Sequence, residues 1–168
     1  MPGSVEAAVV ARVEPGADIG SDPMTGPRLI TVCAVTTAPP AWAPTETISP
    51  LDDKLGIRIT DYDPDRLVAT MPVAGNEQPF GLLHGGATCS LVETIGSWAA
   101  MLGAGPDRRA VGIELNATYV KAATSGVVTA VCTPVRRGRT LATFLIEVTD
   151  DQGNTTASAR LTCMILPA

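Results

Sequence analysis

The stretch PFGLLHGGATCSLVETIGSW, residues 79–98, combines residue types that could do chemistry. It holds His84, the only histidine of the chain, followed by Gly85 and Gly86, and Glu93 is its only formally charged residue at neutral pH. A glycine pair at a helix N-terminus leaves backbone N–H groups free to stabilise a developing oxyanion. Such donors beside one carboxylate form a minimal site for acyl transfer.

Glu93 has three competing interpretations. It could be a solvated residue on an exposed stripe, a buried acid paired with a basic residue, or a perturbed carboxylate that acts as nucleophile or general base. An unpaired carboxylate inside a buried helix would cost several kcal/mol or become protonated. Gln78, just upstream, has an amide that can donate to the same carbonyl as Gly85, and this cluster favours the third interpretation.

His84 is most simply a structural residue hydrogen-bonded to backbone beside a helix start. With one histidine, a Ser-His-Asp or Cys-His site would have to use it, and no GxSxG motif accompanies it. No HExxH motif or Cys/His ligand spacing is present, so we expect no metal and no cofactor. The chain has four widely spaced cysteines, Cys33, Cys89, Cys132 and Cys163. We expect them to be buried, reduced thiols of a cytoplasmic protein.

The elements that must position these residues follow from the hydrophobic pattern. Residues 1–45 are rich in proline and are predicted to be an extension, with a short strand at Leu29–Val35, before a single domain at 46–168. From Leu55 a β-hairpin is predicted, then one long helix that ends at GAGPD, then four strands joined by consecutive hairpins. The fold class is therefore α+β, an antiparallel sheet with one helix on one face.

Composition excludes several classes of function. The net charge of −5 argues against general nucleic-acid binding, which needs a basic field. No apolar run approaches the ~20 residues of a membrane-spanning helix, and no secretory signal is evident. We expect no nucleic-acid partner and no membrane.

The motifs QPFGLLHGG, ETIGS and VGIELNATYVKAA closely resemble the hotdog-fold acyl-CoA thioesterases. The nearest branch contains the 4-hydroxybenzoyl-CoA, phenylacetate-pathway and menaquinone-pathway enzymes, and the resemblance covers roughly residues 46–167. It implies a hotdog fold, in which the sheet wraps around one long central helix. It also implies hydrolysis of an aromatic or medium-sized acyl-CoA to free acid and CoA.

The resemblance implies a role for each residue of the site. Glu93 matches the catalytic carboxylate, the Gly85 N–H the oxyanion donor and Gln78 the residue that orients the thioester carbonyl. Ser97 matches the hydroxyl that holds the hydrolytic water, and His84 matches the motif histidine that helps to shape the loop. The two routes open to Glu93, general base or acyl-anhydride nucleophile, are not distinguished.

The resemblance also predicts a path for coenzyme A. The residues of this path lie on one β-rich segment and at the RRGR turn. They are Gly112, Tyr119, Val120, Lys121, Ala122, Arg136, Arg137, Gly138, Arg139 and Thr140. The arginines would supply local positive charge to the CoA phosphates. Without the resemblance, RRGR reads equally well as a solvated hairpin turn.

Distance along the helix adds a constraint on assembly. Gly85 and Glu93 are eight residues apart, which is ~12 Å on one helix. One thioester carbonyl cannot touch both, so we expect a dimer with active sites across its interface, or a tetramer formed from two dimers. The alternatives to hydrolysis are a hotdog dehydratase of 3-hydroxyacyl thioesters and a non-catalytic acyl-CoA-binding protein.

Overall fold

The computed structural model of the protein describes residue 36 and residues 38–43 and 49–168. The expected strand at Leu29–Val35 and most of the expected N-terminal extension lie outside these residues. The expected domain boundary, between residues 45 and 46, also falls outside them.

The fold is an antiparallel sheet with one long helix. In chain order the elements are α1 (Pro50–Leu55), β1 (Arg58–Asp61), β2 (Leu67–Pro72), α2 (Gly85–Ala104), β3 (Arg108–Tyr119), β4 (Val127–Arg137), β5 (Leu141–Thr149) and β6 (Thr155–Pro167). The six strands form one sheet in the order β1-β2-β4-β5-β6-β3, and every neighbouring pair is antiparallel. The predicted α+β class is confirmed.

Strands β2, β4, β5 and β6 bury alternate side chains beneath the helix, whereas β3 has no buried residue. In β2, Leu67, Ala69 and Met71 are fully buried while the residues between them are half-exposed. In β5, Phe144 and Ile146 show the same alternation. This period of two places one face of the sheet in the core, as the sequence pattern predicted.

Helix α2 packs on this inner face and contacts β2, β3, β4, β5 and β6. Its fully buried side chains include Leu91, Val92 and Ile95. At Gly96 a Cβ atom would overlap the side chain of Leu161 on β6, so the absence of a side chain lets helix and strand approach closely. The helix ends at Ala104, where the GAGPD motif predicted its end.

The expectation of four strands in consecutive hairpins is wrong for β3 and β4. Strand β3 pairs with β6 at one edge of the sheet, and β4 pairs with β2 and β5. Two strands separate β3 from β4, a gap of ~14 Å in a flat sheet. The connection at residues 120–126 can reach ~23 Å when extended, so it crosses this gap. Alternating hydrophobicity predicts a strand but does not say which strands will be its neighbours.

Helix α1 was not predicted from the sequence. Its N-cap Ser49 and its third residue Asp52 form a capping box, Pro50 occupies the first helical position and Gly56 ends the helix with φ of 68°. Proline is favoured at this first position although it breaks a helix interior. The SPLD motif therefore starts a helix at a place where no element was predicted.

Because two thiols are buried, we expect the free energy of unfolding to fall at alkaline pH. Burial raises the pKa of Cys132 from 9.0 to about 12 and that of Cys163 to about 11. Above pH ~9 the unfolded chain loses these protons while the folded chain keeps them, so the stabilisation present below pH ~9 is lost as pH rises. Each thiol contributes a slope of at most ~1.4 kcal/mol per pH unit.

We expect the free energy of unfolding, measured by urea titration at pH 8 to 11, to fall more steeply in the wild type than in Cys132→Ala. Comparison of slopes removes the constant cost of the small cavity that the substitution creates. Equal slopes in the two proteins would show that the Cys132 proton does not contribute.

Candidate active site

The Gly85 N–H is a free backbone donor at the N-terminus of α2. The N-cap residue His84 accepts a hydrogen bond at Nδ1 from the Gly86 N–H at 2.8 Å, and its own N–H donates to the Asn76 carbonyl at 2.9 Å. Among residues 49–168, none accepts a hydrogen bond from the Gly85 N–H. His84 therefore satisfies Gly86, and the Gly85 N–H is available to a ligand.

Gln78 presents a second donor beside the first. Its Oε1 accepts the Phe80 N–H at 2.5 Å, so the carbonyl end of the side chain is occupied within its own loop. The backbone carbonyl of Gln78 also accepts the Gly81 N–H at 2.9 Å, which closes this loop. The amide NH₂ of Gln78 is thereby left as the end that can donate.

Gln78 and Gly85 open onto the same cavity, which has a volume of about 480 Å³. Its wall contains most of one predicted CoA-binding segment and several small or apolar side chains. The lining residues are Gln78, Leu82, Leu83, Gly85, Thr88, Tyr119, Val120, Lys121, Ala122, Ala123, Thr156 and Ala157. The structure thus brings together the predicted donors and the predicted Tyr119–Ala122 segment.

Lys121 has an acidic partner within the chain. Its Nζ lies 3.0 Å from Asp150 Oδ2, and this hydrogen bond is the main cause that lowers the pKa of Asp150 to about 2. The lysine still lines the cavity, but its charge is shared with Asp150.

Glu93 lies against the backbone of β3. It is half-buried in the middle of α2, and a Cβ atom on Gly112 would overlap its Oε1. Ser97 Oγ is 3.4 Å from the same oxygen. Cys163, paired with Gly112 across β3 and β6, has its pKa raised by burial and then by the charge of Glu93. The structure places Gly112 at the Glu93 carboxylate, and Gly112 is not among the residues described as lining the Gln78 cavity.

The two halves of the candidate site lie apart within one chain. Gly85 and Glu93 belong to the same continuous helix, so ~12 Å separates them along its axis. Glu93 and Ser97 are absent from the described lining of the cavity at Gln78 and Gly85. One chain therefore holds an oxyanion-donor half and a carboxylate half that do not meet.

The arginine turn lies near the opposite end of α2. Arg137 Nη1 is 2.5 Å from Asp65 Oδ1, its Nη2 donates to the Pro64 carbonyl, and its side chain lies against Gly103. Since Gly85 and Gly103 are eighteen residues apart on one helix, ~27 Å separates this end from the donor half. Arg137 thus binds the turn between β1 and β2. This contact with Pro64 and Asp65 was not predicted from the sequence.

The end of the turn, at Arg139 and Thr140, borders a second cavity of about 710 Å³. Gly138 donates its N–H to the Leu141 carbonyl at 2.8 Å and so closes the turn, and the Arg136 side chain is exposed. The cavity is lined by Arg108, Arg139, Thr140, Leu141, Met164, Ile165, Leu166 and Pro167. Within one chain, the predicted Tyr119–Ala122 segment thus lines the first cavity and the predicted Arg139 and Thr140 line the second. The lining of neither cavity includes the other predicted CoA residues, which are Gly112, Arg136, Arg137 and Gly138.

Two contacts near the site were missed from the sequence. Thr94 Oγ1 donates to the buried Asp52 Oδ1 at 2.6 Å, which ties α1 to the residue that follows Glu93. The spacing of Ser49 and Asp52 in the capping box was the available signal for α1. Cys163 beside Glu93 had no local signal, because its position depends on the pairing of β3 with β6.

Other kinds of site find no support among the described residues. No group of three or more His, Cys, Asp and Glu side chains there lies close enough to hold a metal ion. No helix in the same part of the chain is long and apolar enough to cross a membrane.

A sheet around one long helix, with donors at the helix N-terminus and a carboxylate at its middle, defines the hotdog class of thioester-processing proteins.

Comparison with known proteins gives the family. Residues 80–157 match the thioesterase superfamily. The 1,4-dihydroxy-2-naphthoyl-CoA hydrolase of Escherichia coli is 44% identical over 113 residues, 67% of this chain and 83% of that protein. The proofreading thioesterase EntH of Cronobacter turicensis is 39% identical over 121 residues, 71% of this chain and 88% of that protein.

A solved structure agrees with these relatives. The crystal structure of a thioesterase from Haemophilus influenzae superposes with a TM-score of 0.68 at 36% identity, over 70% of this chain and 82% of that one. The chain belongs to the thioesterase superfamily, and it is a thioester hydrolase with the hotdog fold.

Because Gly112 contacts Glu93, a methyl group added at Gly112 is expected to affect turnover. We expect Gly112→Ala to keep the fold, because the overlapped atom is the end of a flexible side chain, and to displace the carboxylate. Displacement by about 1 Å is enough to reduce turnover ~100-fold. The measurement is thioester hydrolysis together with the thermal midpoint of unfolding.

Val111→Ala is the matched control for this substitution. Val111 is the preceding residue of β3 and is 44% exposed, so its change leaves the Glu93 contact intact. We expect the control to turn over at close to the wild-type rate. Turnover in Gly112→Ala as fast as in Val111→Ala would show that the position of Glu93 does not depend on Gly112.

Proposed function

We propose that the protein hydrolyses acyl-CoA thioesters to a free acid and CoA. The observation that carries this proposal is the pair of free donors, the Gly85 N–H and the Gln78 amide, at one cavity. Two donors at one point suit the oxygen of a thioester carbonyl as it becomes an oxyanion. The name of the E. coli relative supports CoA as the carrier of the acyl group.

Glu93 supplies the second half of the chemistry. As a general base it takes a proton from water, the hydroxide adds to the carbonyl carbon, and the oxyanion is held by Gly85 and Gln78. The intermediate then collapses, the carbon–sulfur bond breaks, and the CoA sulfur takes up the proton. As a nucleophile, Glu93 would instead displace the thiolate to form an anhydride that water hydrolyses. Ser97, near Glu93, would hold the water in either route.

The active site in this proposal is shared between two chains. A carbonyl bound at Gly85 cannot reach the Glu93 of the same helix ~12 Å away, so Glu93 comes from a second chain. Strand β3 has twelve residues and one unpaired edge among the described strands, whereas the other edge strand, β1, has only four. A long free edge favours pairing with a second copy. We therefore infer a homodimer that uses β3, from which a tetramer can form by doubling.

Pairing of two β3 strands also reunites the divided CoA residues. In an antiparallel two-fold pair, the Tyr119 end of one strand lies beside the Arg108 end of the other. Since Tyr119 lines the first cavity and Arg108 lines the second, the cavities of opposite chains would become neighbours. Arg139 and Arg136 would then face the CoA phosphates.

The proposed acyl group is aromatic or medium-sized. The cavity at Gly85 is walled by Leu82, Ala123 and other small or apolar residues, which suits a compact apolar group. The E. coli relative is named for a bicyclic aromatic acyl group. The cysteines in the described residues are free, and reduced thiols fit the cytoplasm, where we place the reaction.

The first test of this function is release of free thiol from a panel of acyl-CoAs. We expect hydrolysis of at least one aromatic or medium-chain substrate, with Glu93→Gln slowing turnover at least ~100-fold while the fold is kept. Glu147→Gln, an exposed glutamate on β5, is the matched control and should leave turnover unchanged. A dehydratase or a binding protein would release no thiol, and rapid turnover by Glu93→Gln would exclude the role proposed for Glu93.

The second test asks whether two chains share each site. Glu93→Gln and Gln78→Ala chains should each be nearly inactive alone. After exchange into heterodimers, one site carries both defects and the other carries none, so activity per heterodimer should recover towards half of wild type. No recovery, with heterodimers verified by native mass measurement, would place Glu93 and Gln78 in the same chain's site.

A further inference from the structure

The peptide that joins Gly85 to Gly86 is held at both of its ends. Its N–H, on Gly86, donates to Nδ1 of His84 at 2.8 Å. Its carbonyl, on Gly85, accepts a hydrogen bond from the Tyr119 hydroxyl at 2.9 Å. This carbonyl is also the one that the helix pairs with the N–H four residues later. Two side chains from different elements therefore fix one peptide at the start of α2.

Tyr119 reaches this peptide from the last residue of β3. A Cβ atom on Gly85 would lie 2.9 Å from Tyr119 Cζ and 3.0 Å from its Oη, closer than real side-chain contacts. Gly85 therefore has to lack a side chain for the ring to take this position. The tyrosine ring and the glycine form a matched pair across the boundary between sheet and helix.

The hydroxyl of Tyr119 is fully engaged in this contact. Its single proton goes to the Gly85 carbonyl, so the Cys89 thiol, 3.1 Å from Oη, must be the donor in their hydrogen bond. Partial burial raises the pKa of Tyr119 to about 12, so the phenol keeps its proton at neutral pH. The hydroxyl is thus neither a free donor for a ligand nor a proton-transfer group at neutral pH.

We propose that Tyr119 is a positioning residue, which together with His84 fixes the peptide after Gly85 and so aims the free Gly85 N–H at the substrate carbonyl. Two consecutive glycines have the widest backbone freedom of any pair, and a helix start leaves their N–H groups unrestrained. Fixing the next peptide restricts rotation at Gly85, whose N–H is the free donor. This inference rests on the proposed function for the role of that donor.

The role proposed here differs from contact with CoA. A wall or a CoA contact would act on binding, whereas an oriented donor acts on the charge that develops during reaction. The hydroxyl and the ring can be separated experimentally, because Tyr119→Phe keeps the wall of the cavity and removes only the hydroxyl, with its hydrogen bonds to the Gly85 carbonyl and the Cys89 thiol.

We expect Tyr119→Phe to lower kcat ~10-fold with KM for the acyl-CoA within ~2-fold of wild type. Amide hydrogen exchange at Gly86, followed by NMR, should become at least ~5-fold faster, because the peptide is no longer held at its carbonyl. Val120→Ala is the contrasting variant, because it trims the same cavity beside the ring and should change KM more than kcat.

A double-mutant cycle tests whether His84 and Tyr119 act on one peptide. The loss of kcat in His84→Ala with Tyr119→Phe should be smaller than the product of the separate losses. His84→Asn, which keeps a capping oxygen, should recover part of what His84→Ala loses. Losses that multiply would mean that the two residues act independently and would overturn the proposal.

The remaining outcomes are equally decisive. A raised KM with unchanged kcat in Tyr119→Phe would make Tyr119 a binding contact. Unchanged amide exchange at Gly86 in this variant would show that the Tyr119 hydroxyl does not hold the Gly85–Gly86 peptide. A wild-type protein that hydrolyses no acyl-CoA would refute the proposed function. The exchange measurement would still decide whether Tyr119 fixes the peptide, so the two failures are distinguishable.

Discussion

The packing of α2 on the inner face of the sheet is the constraint on which the rest of the structure depends. The helix is one continuous rod of twenty residues, and Gly96 lets it approach Leu161 of β6 closely. A rod keeps its two ends and its middle at fixed separations, so donor and carboxylate cannot adjust to one another by bending. In the proposed dimer, a second chain supplies the group that the helix cannot bring closer, and the long free edge of β3 among the described strands is the proposed contact surface.

Glycines at three positions let other groups approach the backbone, each for a different purpose. At Gly96 the approaching group is a core leucine, at Gly112 it is the Glu93 carboxylate, and at Gly85 it is the ring of Tyr119. None of these three has the positive φ that marks glycines in turns. Their role is to provide space, so the chemistry of the site depends on side chains that are absent as much as on those present.

Much of this fold could be predicted from the sequence, because its signals are local. The start of α2 at Gly85, its end near Gly103 and the hairpin of β1 and β2 all follow from turn residues and periodicity. The neighbours of β3 could not be predicted, since an alternating strand pattern fits beside any other strand. For the same reason the contacts of Glu93 with Gly112, and of Arg137 with Asp65, were invisible, because each joins segments far apart in the chain.

The pairing of β3 with β6 joins two segments that leave the ribosome at different times. Strand β3 ends at residue 119 and its partner begins at residue 155, so a chain emerging from the ribosome presents β3 long before β6 exists. Strand β3 carries Gly112, which contacts Glu93, and Tyr119, which contacts Gly85. The contacts of Gly112 with Glu93 and of Tyr119 with Gly85 are therefore made by a strand whose only partner in the described sheet is the last strand of the chain.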